Sequence, residues 1–333
     1  MLTIIPHSEL TLAETAEQWL RQLPGPVMIE VPGKDRTRCR IVSTLIHGNE
    51  PSGFYAVHRY LLENHTPATD LAISIASVRA ARLPPMHRHR FVPGEYDLNR
   101  RFGKLKAQDK VTELAHQLTE YIRNRCPTAV VDLHNTSGAS PAFAVSINEH
   151  EKVLKVAALF TENMIVTQLN VGALMEQNFN CPVVTIECGG ANDPRSHEAA
   201  YQGLLKFLNN DRLDSLATKP IQLYHHPVRV SIQPNLSLTY AKQPDPNFDI
   251  TLVPDIEQLN FTGLTAKQCF GWTRRPLEQT FEAIGDDGHD CLSDLFHQQE
   301  QALYANANLK CFMATMRADI ALNDCLFYIL KTK

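Results

Sequence analysis

Between residues 27 and 209, short apolar runs alternate with longer stretches whose apolar positions recur every three to four residues. The runs at 27–31, 41–46, 71–78, 129–134, 141–147, 164–169 and 183–187 are short and bounded by Gly, Pro or polar residues, which predicts buried strands. The stretches 8–23, 53–63, 111–125, 151–163 and 197–208 carry apolar residues at helical spacing; in 111–125 the stripe is Val111, Leu114, Ala115, Leu118, Tyr121 and Ile122. A helical turn is predicted over 174–180. Such alternation is the signature of an α/β sheet. Residues 209–220 are polar and read as a linker. From 221 the texture changes to brief β-like runs (228–232, 236–240, 250–253) separated by Pro, Asn, Asp and Gly, then a helical pattern over 291–308 and an apolar tail over 318–330. A chain of 333 residues exceeds the usual single domain. The expectation is an α/β domain over 1–212 and a smaller, mostly β domain over 213–333.

Three of the predicted strands end in residues that bind metals or move protons. The run 41–46 leads into His47-Gly48-Asn49-Glu50-Pro51. Pro51 fits the first turn of a helix and biases Glu50 away from helical geometry, so His47 and Glu50 lie on the turn. The run 129–134 ends in His134, with Asp132 two residues earlier on the same face. Asp132 reads either as the partner that holds a histidine in one tautomer or as a buried structural aspartate. The run 183–187 ends in Glu187, followed by Gly189 and Gly190. In α/β sheets ligands collect at the carboxyl ends of strands. His₂Glu is a familiar ligand set for catalytic zinc, and a further carboxylate beside the zinc's water acts as the base.

His47-Gly-Asn-Glu50, Asp97-Leu-Asn-Arg100, Asp132-Leu-His134-Asn-Thr and Thr185-Ile-Glu187 stand in order. Each alone is common by chance; four in sequence at strand ends are not. From about residue 41 to 208 the chain resembles the succinylglutamate desuccinylase/aspartoacylase family of the zinc-carboxypeptidase clan. The resemblance implies a zinc-carboxypeptidase-like mixed sheet flanked by helices, with the small C-terminal domain shaping the cleft. It implies one zinc ion per chain on His47, Glu50 and His134, with Glu187 as the catalytic base. It places Asn99 and Arg100 on the substrate's carboxylate and an upstream arginine on the scissile carbonyl. Arg88 and Arg90 compete for that last role, and Arg90 is preferred. The segment 298–304 resembles the one from which relatives project a tyrosine towards substrate, here Tyr304; the alternative is that Tyr304 packs on a helix. The implied activity is hydrolysis of the amide bond of an N-acyl amino acid, a carbon–nitrogen bond other than a peptide bond. The alternatives are a carboxypeptidase acting on short peptides and a metal-bound binding protein without turnover. Relatives place an arginine for the acyl chain's carboxylate about ten residues before the catalytic glutamate. Here the corresponding stretch is Glu176-Gln177-Asn178, which weighs against an acidic acyl group.

Composition narrows the partners. With 32 Lys and Arg against 36 Asp and Glu, the net charge is −4, which argues against a nucleic-acid surface. No apolar stretch approaches the ~18 residues of a membrane span. The eight cysteines include no CxxC pair, and the N-terminus lacks a charged region followed by a long apolar run, so reduced thiols in the cytoplasm are expected. No GxGxxG follows a strand, which disfavours dinucleotide binding. His58, His65 and the pair His225-His226 read as packing or solvated histidines. A small N-acylated molecule is the expected partner, and assembly into a homo-oligomer is left open.

Overall fold

The computed structural model describes residues 1–104, 109–168, 170–217 and 219–332. Leu169, at the end of the expected strand 164–169, and Thr218, inside the expected linker, lie outside the described residues. The chain divides into two compact units: Met1–Asn135 with Ala142–Leu223, and Thr136–Pro141 with Tyr224–Lys333.

The first unit is mixed α/β. Its strands are β1 (Thr3–Pro6), β2 (Val27–Val31), β3 (Asp35–Thr44), β4 (Thr69–Ile75), β5 (Ala129–Thr136), β6 (Phe143–Ser146), β7 (Asn163–Val166), β8 (Val183–Gly190) and β9 (Gln222–His225). Among the described residues they form one sheet in the order β1-β2-β4-β3-β5-β8-β6-β7-β9. β3 runs parallel to β4 and β5, whereas β2 is antiparallel to β4 and β6 to β8. The central strands β4, β5 and β8 are buried along their whole length, as expected of apolar runs covered on both faces. One face packs Trp19, Phe54, Tyr60, Val156 and Phe207 from α1 (Ala16–Gln22), α2 (Ser52–Leu62), α5 (Glu151–Ala157) and α6 (Pro194–Asn209). The other packs Ala115, Leu118 and Ile122 of α4 (Lys110–Arg125), with Ala173, Leu174, Met175 and Phe179 from a strap that leads into β8.

Several element limits are set by caps that override periodicity. α1 starts only at Ala16, because Thr15 accepts the Gln18 N–H at 3.2 Å. α6 starts three residues before the expected 197, with Asp193 accepting the Arg195 N–H at 2.9 Å and Pro194 in the first turn. Pro51 is the N-cap of α2 and not its first helical residue. The strand expected over 71–78 stops at Ile75, and its last expected residue opens a short helix, α3 (Val78–Arg82).

The boundary expected between 212 and 213 falls between Leu223 and Tyr224. The buried guanidinium of Arg40 accounts for part of this: it donates to the carbonyls of Phe207, Asn210 and Asp211, holding the chain after α6 against the first unit. β9 then continues the large sheet beside β7.

The second unit is mostly β. One sheet holds β10 (Val228–Ile232), β14 (Phe281–Ile284), β17 (Leu309–Phe312) and β18 (Phe327–Lys331). The other holds β11 (Leu238–Tyr240), β12 (Ile250–Leu252), β13 (Cys269–Thr273), β15 (Phe296–Gln299) and β16 (Ala302–Ala305). The helix expected over 291–308 is absent: a single turn at Leu292–Leu295 is followed by the β15–β16 hairpin. The six residues 136–141, which directly follow β5's His134 and Asn135, also belong here. Ala139 N–H donates to Glu257 at 3.0 Å, and Asn260 donates to the Ala139 carbonyl at 2.8 Å.

Candidate active site and metal centre

Beyond the end of β3 the chain makes the turn His47–Glu50, and Gly48 is required at its centre. A Cβ there would meet the Ala81 nitrogen at 2.5 Å and the His89 carbonyl at 2.7 Å. Its N–H donates to the Arg90 carbonyl at 2.8 Å, and His87 Nδ1 bonds the Gly48 carbonyl at 3.0 Å. This close fit carries Arg90 to the turn. Of the two rival arginines, Arg90 enters the cluster, donating to Glu50 Oε1 at 3.4 Å and Asp97 Oδ2 at 2.9 Å; Arg88 is exposed.

His47, Glu50 and His134 are all buried, and one ligating atom from each lies within 4.8 Å of the others. His47 Nδ1 lies 2.8 Å from Glu50 Oε1, and His134 Nδ1 lies 2.7 Å from Glu50 Oε2. Each histidine's other nitrogen meets an aspartate: His47 Nε2 to Asp97 Oδ1 at 3.1 Å, His134 Nε2 to Asp132 Oδ2 at 2.7 Å. The aspartates thereby anchor Nε2–H and turn both Nδ1 atoms towards Glu50, the arrangement in which an imidazole ligates a metal.

The electrostatics point the same way. Burial alone would lower the pKa of His134, yet Asp132 and Glu50 outweigh it and raise it well above its usual range. At His47 burial and Arg90 push down, and Glu50 with Asp97 prevail upward. Burial works to raise Glu50, but the two histidines hold it well below the usual carboxylate range. Asp97 is likewise held well below: Arg90 and His47 overcome its burial. The pocket therefore favours positive charge between the Nδ1 atoms and Glu50, which protons supply here and a divalent cation fits.

Glu187 differs from its neighbours. Burial is its largest influence, Glu50 adds to it, and the nearby cationic groups only partly compensate, so its pKa is pushed up to about 7. Its Oε2 is buried with no hydrogen-bond partner among the described residues. A carboxylate poised near neutrality beside a metal-type cluster is the profile of a general base. Cys188, next in the chain, packs into the core on the opposite side of β8, as strand alternation requires.

Asn99 and Arg100 lie on the turn after Asp97. The Asn99 oxygen accepts the Leu174 N–H at 3.0 Å, leaving its Nδ2 hydrogens as the side chain's donors. Arg100 Nη1 donates to the Asn99 carbonyl at 3.0 Å. Glu176 spends both carboxylate oxygens on the N–H groups of Val171 and Gly172, at 2.9 Å each. Tyr304 belongs to the second unit: it sits on β16 opposite His297, its ring stacked on that histidine at 5.4 Å, with no helix beneath it of the expected 291–308 kind. His226 is exposed and pairs with Asp286, and none of the eight cysteines is in a disulfide.

Two residues stand inside the motifs quoted above but were given no role by sequence. Asp97 reads as an ordinary turn aspartate, since its own chain neighbour Asn99 takes its bond at 2.8 Å, and its pairing with His47 spans fifty residues. Asn135 carried no signal beyond adjacency to His134.

Residues 40–209, more than half of the chain, match the family model described as succinylglutamate desuccinylase/aspartoacylase catalytic domain. Solved structures share the fold. A succinylglutamate desuccinylase from Vibrio parahaemolyticus is similar at 14% identity and TM-score 0.60, over 96% of this chain and 95% of its own. A succinylglutamate desuccinylase/aspartoacylase from Rhodobacter sphaeroides is similar at 13% identity and TM-score 0.59, over 91% and 88%. An ectoine utilization protein from Ruegeria pomeroyi, seen with product bound, is similar at 15% identity and TM-score 0.55, over 92% and 88%. No curated protein matches the sequence significantly.

Proposed function

Because the chain belongs to the succinylglutamate desuccinylase/aspartoacylase family, we propose that it is a zinc-dependent hydrolase of the amide bond in an N-acyl amino acid or similar small carboxylate. The observation that carries the reading is the convergence of His47 Nδ1, His134 Nδ1 and Glu50, each histidine backed by an aspartate, with Glu187 near them, its Oε2 buried without a hydrogen-bond partner among the described residues. A zinc ion held by His47, Glu50 and His134 supplies, when bound, an acidified water and a polarised substrate carbonyl. Glu187 takes the attacking water's proton and returns it to the leaving amine, for which a pKa of about 7 suits both transfers. Arg90 donates to the carbonyl oxygen as negative charge develops there. Arg100, with the Asn99 amide hydrogens, holds the carboxylate of the amino-acid part. Tyr304 offers its hydroxyl to the bound amide.

Glu176 bears on the acyl group. Where relatives carry an arginine for an acidic acyl chain, the corresponding stretch here, Glu176-Gln177-Asn178, holds no cation, and its one carboxylate is tied to backbone N–H groups, so an uncharged acyl group is the expected substrate, met in the cytoplasm as a small molecule. The test is elemental analysis of the purified protein followed by hydrolysis of N-acyl amino acids and short peptides. About one zinc per chain and cleavage of neutral N-acyl amino acids is the expected result. Trimming of peptides in preference to them would make the protein a carboxypeptidase. A metal-loaded protein inert on both would make it a binding protein.

A further inference from the structure

Asn135 joins the three elements that carry the proposed metal ligands and Glu187: the end of β5, the start of α2 after the Glu50 turn, and β8. It follows His134 at the end of β5 and is 2% exposed. Its Oδ1 accepts the Ser52 N–H at 2.9 Å. Its Nδ2 donates to Ser52 Oγ at 2.8 Å and to the Gly189 carbonyl at 2.8 Å. Its own backbone N–H points to Glu50 Oε2 at 3.3 Å. Ser52 opens α2, directly after the Glu50 turn, and Gly189 lies two residues beyond Glu187 on β8.

Local chemistry explains why the tether is strong. The N-cap of α2 is Pro51, whose side chain has no oxygen to cap a helix, so the Ser52 N–H is an orphan of the first turn. Asn135 caps it from another strand. Both Nδ2 hydrogens are used as well, and exchanging the amide's oxygen and nitrogen would set donor against donor at Ser52 and acceptor against acceptor at Gly189. The amide is therefore held in one orientation. Ser52 Oγ, which accepts from Asn135, also hydrogen-bonds His197 Nδ1 at 2.7 Å, which extends the tether to α6.

We propose that Asn135 is a positioning residue: its amide sets the strand end that carries Glu187 against the turn and strand that carry the metal ligands. Its side chain is placed to touch neither metal nor substrate; it acts through Glu187 and, by way of Ser52, through the Glu50 turn. This rests on the reading of Glu187 as base. Displacing a reacting group by an ångström costs on the order of 10²-fold in rate, and loss of a residue that orients metal ligands weakens metal binding by about 10–100-fold.

The experiment compares zinc-loaded wild type with Asn135→Ala, Asn135→Asp, Glu187→Gln and the Asn135→Ala/Glu187→Gln double variant. Asn135→Asp keeps the oxygen that caps Ser52 but has no hydrogens for Gly189, which separates the tether from the helix cap and guards against a misfolded alanine variant. Expected is a fall in kcat of about 10²-fold in both Asn135 variants with KM within about twofold, and a double variant no slower than Glu187→Gln alone, because coupled residues are not additive. Chelator competition should show zinc held about tenfold more weakly in Asn135→Ala. Additive losses, or an Asn135→Asp variant as fast as wild type, would overturn the proposal. If the wild type hydrolysed no N-acyl substrate, the functional reading would fail by itself, and zinc competition alone would decide: affinity unchanged in both variants would remove Asn135 from the site.

Discussion

The two histidines of the centre are oriented by partners of different origin. His134 is served by its own strand: Asp132 lies two residues earlier on the same face, fully buried, at 2.7 Å. His47 is served by Asp97 from fifty residues away, at a looser 3.1 Å, and Asp97 also bonds Arg90 and the Asn99 N–H. One arm is thus built into the sheet. The other is shared with the turn that carries the proposed substrate residues, so substrate contacts at Asn99 and Arg100, as proposed above, would be transmitted to His47 through Asp97.

The comparison can be broken most severely at the histidines themselves. His47→Ala and His134→Ala should each weaken zinc by more than ~100-fold, since removing a residue one step further out already costs about 10–100-fold. Competition with a chelator reads this directly, and equal retention in both variants would dissolve the ligand set. The aspartates should then separate the arms. Asp132→Asn is expected to weaken zinc by about 10–100-fold with KM little changed. Asp97→Asn should weaken zinc less but raise KM as well, because it frees Arg90 and the Asn99–Arg100 turn. Identical effects of the two on zinc and KM would make the arms equivalent. The smallest effect is expected at Arg100→Lys: zinc affinity unchanged, and KM raised about tenfold for substrates with a carboxylate, since an ammonium does not reproduce a bidentate fork worth about 1.5 kcal/mol more. An equal rise for substrates lacking the carboxylate would make Arg100 structural.

The His134 arm was readable in sequence and the His47 arm only in half, for a physical reason. Asp132 and His134 share a strand, and the two-residue period of a strand alone puts them on one face. Asp97 reaches His47 only because Gly48 lets the turn pack on the residues around 80–90, a contact invisible to periodicity. The strands that carry His134 and Glu187 were legible because their apolar runs are short and bounded by Gly or polar residues, although both strands continue two to three residues further, to Thr136 and Gly190. The 291–308 region misled because Leu292, Leu295 and Phe296 imitate a helical stripe. The chain instead turns back at Glu300-Gln301, where Glu300 adopts a positive φ of 54° that no Asn-Gly or Asp-Gly pair announced. The link between His134 and the second unit through 136–141 was likewise hidden, because Glu257 and Asn260, which bind it, lie more than a hundred residues on.

Glu187 is proposed as the base of a hydrolytic centre whose metal it does not ligate. The most direct measurement is zinc content and turnover of Glu187→Gln side by side with wild type. About one zinc per chain is expected in both, with a loss of kcat of at least ~10²-fold in the variant, the contribution of a general base. Normal turnover in the zinc-loaded variant would move the base to another residue, and loss of the zinc would make Glu187 a ligand; either result contradicts the account.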